Sequence, residues 1–279
     1  MRSVARLALA FVALGVATAR ADAPEIGDAV AAGQEWRIDT PHGAVHVWAP
    51  AGYDPATAET IVYVHGYWTT VDEAWIDHRL PEQFAMSGLN ALFIACEAPS
   101  DKHEPVAWRS LRGLLAAVAG AQIPMPNGRL VAVGHSGAYR TLIPWLANPR
   151  LDTVVLIDAA YEPDPFRAWV RATRRHRLID IGEDTLRWTE PLHRSLPSTV
   201  VLDDIPPPEA GELPPEAAAA RVVYIRSTIG HMPLVTGGVA LPMVLRALSS
   251  EPLPDDALPL GLTPTTEEPD TIASTEPDE

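Results

Sequence analysis

The sequence predicts an α/β fold in which helices cover both faces of a mostly parallel central sheet. Short runs of Val, Ile and Leu recur without polar alternation, as in strands buried on both faces, and segments with helical spacing separate them. Polar residues directly follow several of these runs. Open parallel sheets bind their ligands at that edge, so this pattern also indicates where a site would lie.

The predicted elements follow one another in a regular order. An antiparallel hairpin comes first, because residues 35–40 and 44–49 alternate polar and apolar side chains around Pro41-His42-Gly43. Buried strands are expected at residues 60–64, 89–94, 129–133, 152–157, 178–181 and 220–227. Helical spacing predicts helices at residues 73–87, 105–119, 138–146, 165–177, 184–196 and 239–248.

The two ends of the chain differ from this body. Arg2 and Arg6, an apolar run at 7–16 and an Ala19-Arg20-Ala21 cleavage pattern predict a signal peptide over residues 1–21. The apolar run is shorter than the roughly 20 residues that cross a bilayer, so no transmembrane segment is expected in the mature chain. We therefore expect a periplasmic or secreted protein.

A single domain is expected over residues 22–250, and an acidic tail follows it. Residues 251–279 hold nine acidic residues, no Lys or Arg, and many Pro and Thr. Such a composition cannot bury enough apolar surface to offset its ordering entropy, which predicts a disordered tail.

Composition excludes several classes of function. The formal net charge of −15 argues against nucleic acid as a partner. Cys96 is the only cysteine, so no internal disulfide can form, and its apolar neighbours predict a buried thiol. The sequence contains no CxxC or HExxH pattern, and we expect neither a metal nor a cofactor. The oligomeric state is not predicted.

Ser136 is the candidate nucleophile. It lies in Gly134-His135-Ser136-Gly137-Ala138, directly after a buried-strand run and before a predicted helix. A serine hydroxyl must stand clear of the backbone and needs a base to take its proton. A tight strand-to-helix turn exposes it when the residues two before and two after are small, although Ala138 stands where Gly is more usual. The alternative interpretation is an ordinary strand-helix turn.

The order of these features resembles the α/β-hydrolase family in its compact form, across residues 35–250. His65-Gly66 follows one predicted strand, and the motif that contains Ser136 follows a second. An acidic residue follows a third strand, and Gly230-His231 lies near the C-terminus. The resemblance implies an eight-stranded sheet and catalytic residues in the order Ser, acid, His. It makes His231 the base, whereas His135, His65 and His193 have other interpretations.

The resemblance leaves the acid open. Asp184 is preferred, since it follows the strand that precedes the last one. Asp158 is the alternative, and it ends the strand that comes after the strand of Ser136. Glu183 and the pair Asp203-Asp204 are considered after these two. The acid would fix the imidazole tautomer and stabilise the imidazolium.

Acyl transfer also needs hydrogen-bond donors for an oxyanion. The backbone N–H groups of Gly137 and Tyr67 are the candidates, with Trp68 next. The resulting hypothesis is an exported serine hydrolase that cleaves a small-molecule or lipid-like carboxylic ester through an acyl-enzyme on Ser136. An amide, peptide or cell-wall bond hydrolase with the same residues is one alternative. A catalytically inactive binding protein of the envelope is the other.

Overall fold

The computed structural model describes residues 26–248, which form one sheet and the helices around it. The predicted signal peptide (1–21) and acidic tail (251–279) lie outside the described residues. The strands are β1 (Gln34–Thr40), β2 (Gly43–Ala49), β3 (Glu59–Val64), β4 (Ala91–Cys96), β5 (Leu130–His135), β6 (Leu151–Ile157), β7 (Arg177–Gly182), β8 (Val200–Leu202) and β9 (Val222–Arg226).

The sheet confirms the predicted class. Its strand order is β1-β2-β4-β3-β5-β6-β7-β9-β8; β2 is antiparallel to β1 and β4, and every other pair is parallel. The described residues contain nine sheet strands, not the eight that the resemblance implied. The additional strand, β8, has three residues at the sheet edge and none is buried, so it leaves no buried run in the sequence.

Helices cover both faces of the sheet. They are α1 (Ile26–Ala32), α2 (Val71–Asp77), α3 (Leu80–Ser87), α4 (Leu111–Gly120), α5 (Tyr139–Trp145), α6 (Pro163–Ala172), α7 (Leu186–Arg194), α8 (Pro215–Ala219), α9 (Pro233–Thr236) and α10 (Ala240–Arg246). One face of the sheet packs on α2, α3 and α10 through Trp75, Phe84 and Leu241. The other face packs on α4 and α5 through Leu114 and Trp145.

Three predicted helices differ substantially from the structure. The helix expected at 165–177 is α6, which ends at Ala172 because Thr173 adopts an extended backbone, and Arg177 begins β7. The single helix expected at 73–87 is two helices, because Arg79 adopts a left-handed backbone (φ +48°) and Pro81 is tolerated only in a first turn. The helix expected at 105–119 begins at Leu111, where the Ser110 hydroxyl accepts a hydrogen bond from the Gly113 N–H at 3.1 Å and caps it.

No helix within residues 26–248 has the length and apolar character needed to cross a bilayer. Cys96 is fully buried at the end of β4, as predicted, and burial raises the pKa of its thiol.

The parallel strands place one set of residues at one edge. Strands β3, β5, β6, β7 and β9 are successive neighbours in the sheet. Because they run in the same direction, the residues that follow them meet at the same edge: His65, Ser136, Asp158, Glu183 and Ser227. The loop after β9 then carries His231 to that edge.

Candidate active site

Ser136 occupies a strained turn between β5 and the helix that follows. Its φ is +52°, in the left-handed region that costs a residue other than glycine about 1–3 kcal/mol. The close packing explains why its neighbours are small: a Cβ on Gly134 would lie 2.6 Å from Leu142 Cδ1 and 2.9 Å from Ala138 Cβ. Ser136 is partly exposed while its chain neighbours His135 and Gly137 are buried. The turn therefore presents the hydroxyl toward solvent.

His231 lies in the loop after β9 and pairs with a buried carboxylate. Its Nδ1 is 2.6 Å from Asp158 Oδ2. This hydrogen bond raises the pKa of His231 and outweighs burial, which lowers it. The carboxylate can only accept, so the hydrogen resides on Nδ1 and Nε2 is left to accept a proton. The His231 ring packs on that of His135, the residue before Ser136, at a centroid distance of 4.5 Å.

Asp158 is fully buried at the end of β6, and its carboxylate is surrounded by donors. The backbone N–H groups of Glu183, Asp184 and Thr185 donate to it at 3.0, 3.1 and 2.9 Å, and the Thr185 hydroxyl at 2.7 Å. Burial alone would raise the pKa of Asp158, but the hydrogen bonds from His231, Thr185 and Glu183 hold it well below its usual range. Asp158 is therefore an anion held against Nδ1 of His231.

Asp184, the acid preferred from the sequence, occupies a different position. Its Oδ2 is 3.8 Å from His231 Nδ1, beyond hydrogen-bond distance, and its side chain is 62% exposed. The loop after β7 turns its backbone N–H groups toward Asp158, which directs the Asp184 carboxylate into solvent. The geometry thus makes Asp158, the alternative, the hydrogen-bond partner of His231, and its role as the catalytic acid stays a prediction.

The other acids considered have other partners. Asp203 pairs with Arg226 at 2.5 Å, and Asp204 accepts from the Thr228 hydroxyl at 2.7 Å. Burial and the neighbouring Asp184 and Asp158 raise the pKa of Glu183, in that order. None of these contacts gives His231 a second partner as close as Asp158.

The peptide between Gly66 and Tyr67 is fixed beside the nucleophile. A carbonyl oxygen can only accept, so His65 Nδ1 carries a hydrogen and donates it to the Gly66 carbonyl at 2.8 Å. His65 Nε2 lies 3.1 Å from both the Ala98 N–H and Glu97 Oε1, which hold the ring in place. A Cβ on Gly66 would lie 2.8 Å from Ser136 Cβ. In a trans peptide the N–H points opposite to the C=O, so His65 also sets the direction of the Tyr67 N–H.

The neighbouring backbone favours Tyr67 over Trp68 as an oxyanion donor. The Trp68 N–H donates to the Ser100 carbonyl at 2.7 Å and is already used. The Tyr67 ring lies over Gly137, where an added Cβ would meet its Cε1 at 2.5 Å. The N–H groups of Tyr67 and Gly137 thus belong to two segments in contact, and their role as an oxyanion hole stays a prediction.

His135 contacts His231 through a hydrogen bond as well as through its ring, an interaction that the sequence analysis missed. Its Nε2 is 3.2 Å from the His231 carbonyl oxygen, which can only accept, so Nε2 carries the hydrogen. Burial, with His231 and His78 nearby, lowers the pKa of His135 to about 3 and keeps the ring neutral. The only sequence signal was its place before Ser136, which does not reveal the direction of the ring.

Asp158, Asp184 and His231 also offer ligand atoms within 4.8 Å of one another, a spacing that a metal ion could use. The hydrogen bonds to Asp158 account for the position of its carboxylate without an ion. A groove of about 650 Å³ lies elsewhere, between the β1–β2 turn and residues 104–110. Neither Ser136, Asp158 nor His231 lines that groove.

Comparisons with known proteins support the fold. No protein-family model matches the chain, and no curated protein sequence is significantly similar to it. Fluorophosphonate-binding serine hydrolase F of Staphylococcus aureus is similar in structure, with a TM-score of 0.50 at 11% identity over 76% of this chain and 96% of that chain. A ferulic acid esterase matches with a TM-score of 0.50 at 10% identity over 76% of this chain and 98% of that chain. With the observed strand order, these similarities show an α/β-hydrolase fold.

Proposed function

We propose that this chain is a serine hydrolase that cleaves carboxylic esters through an acyl-enzyme on Ser136. The observation that carries the proposal is the buried, anionic Asp158 at 2.6 Å from His231, whose ring packs beside the strained turn of Ser136. A structural aspartate would not require a partly exposed histidine as its partner. A structural serine would not require a left-handed backbone with its hydroxyl toward solvent.

The chemistry follows from the protons. His231 Nε2 takes the hydroxyl proton as Ser136 Oγ attacks the ester carbonyl carbon, and the carbonyl oxygen becomes an oxyanion that the Tyr67 and Gly137 N–H groups receive. Asp158 stabilises the imidazolium. The C–O bond to the alcohol breaks, and the departing alcohol takes the proton from Nε2. A water molecule repeats the sequence on the acyl-enzyme, releasing the acid and restoring Ser136.

The first test is labelling with a fluorophosphonate, which reacts with an activated serine hydroxyl. Wild type should be labelled and Ser136→Ala should not. Ser110→Ala is the matched control, because Ser110 is exposed at the start of α4, and its variant should be labelled like wild type. Wild type that is folded yet unlabelled, or labelling that persists in Ser136→Ala, would refute the proposal.

Bond preference needs a second measurement. The amide has the poorer leaving group, so we expect p-nitrophenyl butyrate to be hydrolysed at least 10³-fold faster than the matched p-nitroanilide of butyric acid. Comparable rates would favour the amide-hydrolase alternative.

Export is part of the same proposal. Residues 1–21 have the composition of a signal peptide, and cleavage after Ala21 would leave Asp22 at the new N-terminus. Expression in a bacterial host, fractionation and N-terminal sequencing should give a periplasmic or secreted chain that begins at Asp22. An uncleaved chain in the cytoplasmic fraction would contradict export without affecting the hydrolase assignment.

A further inference from the structure

Aromatic side chains lie along the candidate active site in two groups, Trp68 with Tyr67, and Tyr139 with Tyr161 and Trp188. The two groups are close to each other, because Tyr67, after burial, raises the pKa of Tyr139. Ring centroids lie 6.2 Å apart between Tyr67 and Trp68, 5.7 Å between Tyr139 and Tyr161, and 5.0 Å between Tyr161 and Trp188. The aromatic row is defined as Trp68, Tyr67, Tyr139, Tyr161 and Trp188, contributed by the loop after β3, helix α5, the loop after β6 and helix α7.

The aromatic row touches the nucleophile's turn at two points. The Tyr67 ring lies against Gly137. The Tyr161 hydroxyl is near enough to Ser136 for the serine side chain to lower its pKa, although burial raises that pKa more. Burial raises the pKa of Tyr161 to about 12, so its hydroxyl is a neutral donor at ordinary pH. A substrate whose carbonyl carbon reaches Ser136 therefore has its adjacent groups within reach of these rings.

Most of the row lies outside the core, and only Tyr139 packs against a core cluster. Tyr67, Tyr139, Tyr161 and Trp188 are only partly buried, and the Trp68 side chain is 89% exposed. Trp68 also holds a left-handed backbone at φ +62°, which is strain without core packing to explain it. Exposed aromatic rings around a nucleophile are surfaces that a ligand can cover.

The charges around the row disfavour an anionic ligand. Asp158, Asp184 and Glu183 each raise the pKa of Tyr161, so a substrate carboxylate there would be repelled. The Arg187 guanidinium lies 3.7 Å from the Trp188 ring centroid and covers a ring face at the far end of the row. The space between this end and Ser136 suits an uncharged group.

We propose that the aromatic row binds an uncharged aryl group, so that preferred substrates are esters with an aromatic ring on the acid or the alcohol side. Tyr and Trp rings stack on, or meet edge-on, another aromatic ring more favourably than a saturated ring of equal size. This inference rests on the proposed esterase function.

Matched ester pairs test the inference with the full chain. On the acid side, methyl 3-phenylpropanoate is compared with methyl 3-cyclohexylpropanoate; on the alcohol side, 2-phenylethyl acetate is compared with 2-cyclohexylethyl acetate. The two-carbon spacer keeps the ring from changing carbonyl reactivity. Because the saturated ring is the more hydrophobic, hydrophobicity alone favours the cyclohexyl ester. We expect kcat/KM to favour the phenyl ester about fivefold to tenfold in at least one pair.

Variants connect the preference to the row. Trp188→Leu and Tyr161→Leu should bring the phenyl-to-cyclohexyl ratio close to one, and Trp188→Phe should retain most of it. Trp36→Leu is the control, because Trp36 is partly buried on the edge strand β1, away from the row, and the ratio should not change. Circular dichroism and fluorophosphonate labelling verify that each variant is folded and active.

Two outcomes would overturn the inference. If wild type hydrolyses both members of each pair without preferring the phenyl ester, the aryl inference fails while the esterase proposal stands. A phenyl preference that survives in both leucine variants would place the aryl site elsewhere. If wild type hydrolyses none of the esters and Ser136 is unlabelled, the proposed function itself fails.

Discussion

Replacing Asp158 with Asn should lower kcat by about four orders of magnitude, or about 5.5 kcal/mol of transition-state stabilisation. Oδ1 accepts from Glu183 and Thr185, and Oδ2 accepts from Asp184 and His231. The introduced amide oxygen would take the Oδ1 position, which has the most donors. Its NH₂ group would then face His231 Nδ1.

That exchange reverses the tautomer of the base. An NH₂ group donates, so His231 Nδ1 would have to accept and its hydrogen would move to Nε2. Nε2 could then not take the proton of Ser136. The NH₂ group would also oppose the Asp184 N–H, and a buried donor without an acceptor costs about 1–3 kcal/mol of stability.

Asp184→Asn is the matched control. It makes the same replacement of a carboxylate by an amide, at a side chain whose Oδ2 lies 3.8 Å from His231 Nδ1. Its side chain is mostly exposed, so solvent screens its interaction with His231, and we expect kcat to change less than about threefold.

Initial rates of p-nitrophenyl butyrate hydrolysis measure kcat for both variants. Active-site titration corrects for the fraction of competent enzyme, and thermal unfolding monitored by circular dichroism verifies folding. A folded Asp158→Asn enzyme that keeps more than about a tenth of wild-type kcat would refute the reasoning. So would a loss of several orders of magnitude in Asp184→Asn.

Three further predictions concern pH and metal. The hydrogen bond that His231 donates to Asp158 raises the pKa of His231. Because the base must be neutral, kcat/KM should rise with pH through a midpoint above about 6.5. A midpoint below about 6 in the pH-rate profile would contradict this prediction. His135 and His78 are buried and neutral, with pKa values lowered to about 3 and about 4, largely by burial. As pH falls, these histidines take up protons in the unfolded chain before they do so in the folded protein. The free energy of unfolding should therefore fall below pH 6.5, by about 2 kcal/mol for each histidine at pH 5. Equal urea midpoints at pH 7 and pH 5 would argue against this prediction. Dialysis against a chelator should leave esterase rates unchanged, whereas a loss that divalent metal restores would assign Asp158, Asp184 and His231 to an ion.

The sequence predicted the sheet because a strand that is buried on both faces has a run of apolar residues. Strands β3, β4 and β5 are buried at every position, and each contains an unbroken run of four or more apolar residues. It did not predict β8, since a three-residue edge strand is stabilised by pairing with β9 and needs no apolar pattern of its own. The break between α2 and α3 was also not predicted, although Pro81, which lies in the first turn of α3, was a usable signal for it.

The residues of the candidate site also differ in how far local sequence predicts them. Ser136 could be predicted because the constraints on its turn are local: a buried strand, small neighbours and a following helix. His231 needed only its place after the last strand. The choice between Asp158 and Asp184 could not be made from sequence, because both follow buried strands and both lie near the same histidine. Only the tertiary structure shows which carboxylate pairs with His231, since the loop after β7 folds back to donate its backbone N–H groups to Asp158, which orders one carboxylate and leaves the other in water.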